Sequence, residues 1–396
     1  MSSDLFISAE EAAAMLGVSV QTLYTYVSRK QIRSQKAPGT RQRRYWRPDI
    51  DRVARGASVT PSLAHFGISH DSDITLVTSD GPFYRGQSAI SLAQTQSIED
   101  IAALLWKVDR KSAFRSADAH APPELAELSA VLRNASSIDK AIALLPFIEQ
   151  ANPLAYDLSH AGMCRTGAEV MRWYAAILTD RDTISDAPLH EQVAHFVGGG
   201  DEVADLVRRL MVLAADHGFG AGSYAVRAVA STGVSPYRSV LAGLAIVMGR
   251  RTSFGRLEGI RRLLSDIAES RDPHAAILRH LQMGEKAPGF ESPEPYAAGD
   301  PRAEALLASV TAVFGDHPLL VKTTQAMDMV RERMGLHPGF ALINALLARL
   351  IGLPDGKVLY ILGRCAGWVA HSIEQYEAGM VTPPTANYRG SLPEPG

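Results

Sequence analysis

The chain has 396 residues, 46% of them hydrophobic and 21% charged, which gives room for one large domain with accessories or two to three domains and excludes a disordered polypeptide. Its formal net charge of −2 conceals a polarity: residues 1–55 carry ten Lys/Arg against five Asp/Glu, so the head is basic and points to an anionic partner. Two distant cysteines, Cys164 and Cys365, exclude a disulfide scaffold, show no metal-ligand spacing and argue for a reducing, cytoplasmic setting. No secretory signal is visible at the N-terminus, and no apolar run approaches the roughly 18 residues that a membrane span needs.

In chain order, Ser8 is placed to cap a first helix, with Glu11 completing a capping box. That helix is expected to turn Ala12, Met15 and Leu16 to a core and to stop at Gly17, suited to a left-handed cap. Ser19 then caps a second helix with Leu23, Tyr24 and Val27 on one face. Two short helices about a tight glycine-containing turn make a helix-turn-helix. Behind them Arg41-Gln-Arg-Arg-Tyr-Trp-Arg, preceded by Arg33 and Lys36, interleaves cations with aromatics, as a phosphate-neutralising hairpin or wing would.

The Gly17-Val-Ser, Thr22-Leu-Tyr-Thr-Tyr and Arg43-Arg-Tyr stretches together resemble the winged helix-turn-helix of the MerR and excisionase families. That resemblance implies a DNA partner, with Gln21, Thr22, Tyr24 and Arg29 at the groove or backbone and Arg43 and Arg44 on phosphate. The plainer alternative is a helical docking module with solvated charges.

Residues 56–73, rich in Gly, Ser, Pro and His, read as a linker. From Ile74 the pattern is helical, with one candidate strand at Ile74–Thr78, so the fold class is nearly all-α. Ser97 with Asp100 announces a capped helix, and similar apolar periodicity marks Ile138–Glu149, Leu206–His217, Tyr237–Met248, Arg302–Phe314 and Gly339–Leu353.

Four ordered stretches of this region are similar to the citrate synthase family. Tyr84-Arg-Gly-Gln leads into Ile90-Ser-Leu-Ala and Ser97-Ile-Glu-Asp. Ala215-Asp-His-Gly matches an "ADH" segment, Gly299-Asp-Pro-Arg-Ala a "GDPRA" segment, and Gly363-Arg-Cys-Ala-Gly-Trp-Val-Ala-His a "GR-x-AGW-x-AH" segment. The resemblance implies large and small helical domains over residues 74–390, the smaller at about 255–345, in a dimer. It also implies a reaction that joins an acyl-CoA to oxaloacetate, with acyl-CoA as substrate or ligand and no separate cofactor.

That chemistry needs a carboxylate to take a proton from the acyl group, donors for two developing oxyanions, and arginines for the dicarboxylate. By resemblance Arg302 and Arg364 hold carboxylates and His217 assists. The remaining positions depart from the family. Its "GPLHGG" becomes Gly249-Arg-Arg-Thr-Ser-Phe-Gly, putting Thr252 or Ser253 in place of a histidine. Its "GFGH" becomes Gly289-Phe-Glu-Ser, putting Ser292 or a neighbour in place of the second histidine. Its "PNVDF" becomes Pro338-Gly-Phe-Ala-Leu, so the base falls on Ala341, and Thr385 replaces a late arginine. Glu258, Glu291 or Glu294 could supply a displaced base, and the Arg250-Arg251 pair reads as a CoA-phosphate contact or a solvated surface pair.

His217, Arg302 and Arg364 also have structural readings, as a cap, a helix-end group and an internal ion pair. His371 and Trp368 read as packing groups. Three functional expectations follow. One is a degenerate member that binds oxaloacetate, citrate or acyl-CoA and couples this to DNA. Another is an active citrate or 2-methylcitrate synthase with a rearranged site, and the third is a non-catalytic partner of an active paralogue.

Overall fold

The computed structural model describes all residues except 1–5, 30–31, 37–41, 58–70, 116–120, 252, 283–286, 292–294 and 382–396. Most of the expected linker, Ser292, Thr252 and Thr385 therefore lie outside the described residues. The described chain divides into two compact units at residues 71 and 72.

In the first unit Ser8 accepts from the Glu11 amide at 3.1 Å while the Glu11 carboxylate accepts from the Ser8 amide at 2.8 Å, the reciprocal capping box. The helix Ala9–Leu16 ends at Gly17, whose φ of 63° is the left-handed cap. Ser19 accepts from the Thr22 amide at the head of the helix Val20–Arg29. Strands Phe6–Ile7, Arg43–Trp46 and Ser34–Lys36 form an antiparallel sheet with Arg43–Trp46 central, so the expected wing is present with Lys36 opposite Arg43. A third helix, Arg47–Ala57, closes the unit over a core of Ile7, Ala12, Ala13, Leu23, Ile32, Tyr45 and Ile50.

Two facing assignments change. Met15 is 38% exposed and Tyr24 56% exposed. At about 100° per residue, the buried stripe of the first helix centres on Ala12, Ala13 and Leu16, leaving Met15 at its edge. The second helix buries Val20, Leu23, Tyr26 and Val27, which turns Tyr24 outward.

The second unit begins with a small antiparallel sheet, Thr75–Thr78 against Gly81–Tyr84 against Gln87–Ser88, and continues as helices. Ser97 and Asp100 form the expected capping box on the helix Ile98–Trp106. Four of the other expected helices are found within a few residues of their expected ends, as Ser137–Ala151, Pro236–Val247, Pro301–Phe314 and Phe340–Leu350. The expected Leu206–His217 helix instead spans Asp201–Ala214. It stops early because the Asp216 carboxylate takes the Gly218 amide at 2.8 Å and Gly218 adopts a φ of 67°, folding Asp216 and His217 into a turn.

The long helix Lys357–Ala378 is the axis of the unit, packed by Ile98–Trp106, His160–Leu178, Asp201–Ala214, Ala221–Ala230 and Pro236–Val247. Glycines let it approach closely. A Cβ at Gly363 would lie 2.4 Å from the Met211 carbonyl oxygen, and one at Gly367 would lie 2.2 Å from the Ala215 carbonyl oxygen. A second group, Ser253–Glu269, Pro273–Gln282, Pro318–Met334 and Phe340–Leu350, packs together, and Pro301–Phe314 touches both Phe340–Leu350 and Asp201–Ala214.

Candidate active site

The turn after Asp201–Ala214 carries the first site residue. Tyr84, fully buried, donates to the Val212 carbonyl at 2.9 Å and accepts from the Asp216 amide at 3.2 Å, which fixes the turn. Asp216 is buried between Arg364 and His371, each 3.3 Å from its Oδ1. Burial alone would raise the carboxyl, but Arg364, His371 and the Gly218 amide hold it far below the usual carboxylate range. Arg364 comes from one turn of the long helix and His371 from two turns further on, one helical face supplying both partners.

Arg364 donates to Ser223 Oγ at 3.0 Å through Nη2, while its Nη1 faces Asp216 Oδ1 at 3.3 Å. Burial works against its charge, and the Asp216 carboxylate more than offsets this, raising its pKa. Arg302, 8% exposed, forms a bidentate pair with Asp300 at 3.1 and 2.7 Å, and Asp300 caps the same helix by accepting the Arg302 amide at 3.0 Å. Its guanidinium stacks over Phe340 at 4.8 Å and Tyr296 at 5.7 Å.

Tyr296 ties the cluster together: its hydroxyl lies 2.8 Å from His217 Nε2. Burial pushes the Tyr296 phenol up to about 12, so it stays protonated at neutral pH. Burial, then the positive fields of Arg302 and Arg364, push the His217 imidazole down to about 3, so it is neutral. His217, Arg302 and Arg364 are thus brought together. The structural readings of the two arginines hold as well, since both already bear an internal carboxylate.

Tyr296, Asp300, Asp216 and Ser223 complete the cluster, and sequence reasoning did not single them out. Asp216 and Asp300 at least stood inside the quoted motifs, whereas Ser223 and Tyr296 lie beyond the quoted stretches. Ala341 is the second residue of Phe340–Leu350, half-buried and next to the Phe340 ring that lies against Arg302. Ser253 begins the helix Ser253–Glu269, its side chain outside the described ones. Trp368 is buried against Gly243, as a packing group. His371 is more than that, because it hydrogen-bonds Arg227 at 3.2 Å as well as facing Asp216. Among the described residues, no group of three or more His, Cys, Asp or Glu could hold a metal ion.

The family model described as "Citrate synthase, C-terminal domain" matches residues 67–385. The chain belongs to the citrate synthase family. A second model, described as "Helix-turn-helix domain", matches residues 6–58. The chain is 23% identical over 351 residues to "Citrate synthase 2" of Bacillus subtilis, covering 82% of this chain and 94% of that one. It is 24% identical to a "2-methylcitrate synthase" of Mycobacterium tuberculosis, covering 87% and 91%. Its match to "Citrate synthase" of Haloferax volcanii is 28% identical and spans 48% of this chain and 51% of that one. Among solved structures, citrate synthase of Thermotoga maritima superposes with a TM-score of 0.69 at 22% identity, covering 85% and 97%. A Thermoplasma acidophilum citrate synthase, solved as a ternary complex with carboxymethyl coenzyme A and oxaloacetate, gives 0.66 at 18% identity, covering 85% and 97%. The fold of the citrate synthase family is therefore shared.

In the N-terminal unit, Gln21 and Tyr24 are exposed on the helix Val20–Arg29, on the side away from buried Leu23. Thr22 is half-buried, its hydroxyl 2.8 Å from Ser19 Oγ. Arg43 is exposed and donates to Ser34 at 2.9 Å, while Arg44 is half-buried. The Arg29 side chain lies outside the described ones. Arg33 is committed internally, gripping Asp49 through its Nε at 3.0 Å and lying over Trp46 at 5.4 Å. Among the described residues, no helix is long and apolar enough to cross a membrane.

Proposed function

We propose that this chain binds a small oxo-dicarboxylate of the oxaloacetate type, or citrate, together with an acyl-CoA. On this reading site occupancy governs DNA binding by the N-terminal unit. The observation that carries the reading is the convergence of Arg302, Arg364 and Tyr296 on His217. Two buried guanidiniums, Arg302 held by Asp300 and Arg364 by Asp216, set a positive field beside a neutral imidazole, a setting that favours a bound dicarboxylate. None of these three groups is a carboxylate base. Ala341, beside the site, has no proton acceptor, and serine at positions 253 and 292 does not titrate near neutral pH. The exposed Gln21, Tyr24 and Arg43 would meet DNA, and the chain would act in the cytoplasm as a homodimer or with a paralogue.

Titration calorimetry with oxaloacetate tests the site: Arg302→Lys, which loses the bidentate fork, should weaken binding about tenfold or more. Undiminished binding by that variant would refute the site. Salt-dependent DNA binding measured with and without citrate and CoA tests the coupling, and identical curves would count against it. A second reading, an active citrate or 2-methylcitrate synthase with a displaced base, is favoured by one observation. The Glu291 side chain lies against Gly339, two residues ahead of Ala341.

A further inference from the structure

We propose that the Glu291 carboxylate is the general base that Ala341 cannot be, taking a proton from the carbon next to an acyl-CoA thioester. This rests on the second reading above, an active synthase at a site for oxaloacetate and acyl-CoA.

The backbone places Glu291 at the site. An antiparallel bridge joins Phe290 to Pro338, the Gly339 amide donates to the Gly289 carbonyl at 2.8 Å, and the Glu291 amide donates to the His337 carbonyl at 3.0 Å. These bonds lash Glu291 beside the start of Phe340–Leu350, the helix whose second residue is Ala341. Its side chain follows. Oε1 and Cγ both lie 3.5 Å from where a Cβ on Gly339 would stand, ordinary contact distance, so the carboxylate lies against the backbone at the head of that helix. A negative charge is favoured at that place, where the first peptide N–H groups of an eleven-residue helix have no intrahelical acceptor.

The substrate anchors adjoin the same segment. The Phe340 ring carries the Arg302 guanidinium, and Tyr296 holds His217. His337, opposite Glu291 across the bridge, turns its ring toward Gly299, with Nδ1 3.3 Å from where a Cβ there would stand. Carboxylate and imidazole thus arise from two sides of one bridge, beside the Asp300–Arg302 pair.

The step balances without a further reagent. Glu291 takes the α-proton, the C–H electron pair becomes the enolate double bond, and the thioester π pair moves to its oxygen. The enolate carbon then attacks the ketone carbon of oxaloacetate, forming the C–C bond, and the ketone oxygen takes a proton. Water later cleaves the thioester and releases the CoA thiol.

A carboxylate at this place also stabilises its helix, so the test must separate chemistry from fold. The full-length chain is incubated with acetyl-CoA and oxaloacetate in D2O, and proton removal is followed both as deuterium entering the acetyl methyl group, by mass spectrometry, and as CoA thiol released after condensation. Oxaloacetate affinity is measured alongside. The wild-type chain should exchange its acetyl protons or release CoA. Glu291→Gln should lose about a hundredfold or more of that rate, with oxaloacetate affinity unchanged. Adding Ala341→Asp to it should restore exchange. Glu291→Asp keeps a carboxylate by the helix but withdraws it by one methylene, and should still cost about a hundredfold. Exchange or CoA release at the wild-type rate in Glu291→Gln or Glu291→Asp overturns the proposal, as does oxaloacetate binding with neither exchange nor CoA release in the wild-type chain. Failure of the wild-type chain to bind oxaloacetate overturns the site reading and this proposal together.

Discussion

At the residue scale, the site is a set of buried charges whose partners are internal. Asp216 is fully buried and held by Arg364 and His371. Removing Arg364 with Arg364→Leu strands that carboxylate, and a stranded buried charge costs about 3–5 kcal/mol. Urea unfolding should show a loss of that order, and a loss under about 1 kcal/mol would mean the pair behaves as a surface one. His217 gives a separate pH signature. Its folded pKa, about 3, lies below the ordinary value, so on acidification the unfolded chain takes the proton first. The stability it contributes is full above about pH 6.5 and is lost as pH falls toward the folded value, at up to about 1.4 kcal/mol per pH unit. Asp216, also depressed, acts only below about pH 4, but the His190 imidazole, likewise lowered by burial, shares the interval, so the His217 share is read as the difference between wild type and variant. His217→Asn should flatten the stability slope there by about one proton, as read from unfolding curves at several pH values. An unchanged slope would show that the imidazole reaches water.

At the element scale, glycines decide how closely the helices approach. An Ala-for-Gly exchange inside a helix ordinarily gains about 1 kcal/mol. In Gly367→Ala the new Cβ would meet the Ala215 carbonyl oxygen at 2.2 Å and Asp216 Oδ1 at 2.7 Å, so the sign reverses. A loss of about 1–3 kcal/mol is expected in thermal or urea unfolding, with weaker oxaloacetate binding because Asp216 moves. A stabilised variant would show that the helices are not so close. Much of the helical layout was legible in the sequence, because Ser8, Gly17, Ser97 and Asp100 act through bonds three or four residues away. The meeting of His217, Arg302 and Arg364 was legible only through motif resemblance. The Tyr296–His217 bond spans 79 residues, and Asp216 meets Arg364 across a helix crossing. Local patterns cannot encode such contacts. Met15 and Tyr24 were misassigned because a stripe read from few apolar residues in a short helix is uncertain by one position in either direction.

At the scale of the whole molecule, a helix-turn-helix unit and a citrate synthase domain share one chain. The sequence places ten Lys/Arg in residues 1–55, but that total overstates what is available to a polyanion, since Arg33 grips Asp49 and lies over Trp46. Asp49 is in effect an internal counterion, a carboxylate occupying a guanidinium that phosphate could otherwise claim. Each phosphate contact on duplex DNA displaces condensed cations and contributes about 0.9 to the slope of log affinity against log salt. Asp49→Asn should therefore release Arg33 and steepen that slope by close to one contact, tightening binding at low salt while loosening the N-terminal unit. A slope unaltered by the exchange would mean that Arg33 faces away from the DNA. On the proposed DNA-binding reading, pairing this cation with Asp49 would limit how strongly the head adheres to arbitrary DNA and leave more of the discrimination to Gln21 and Tyr24 on the exposed helix face.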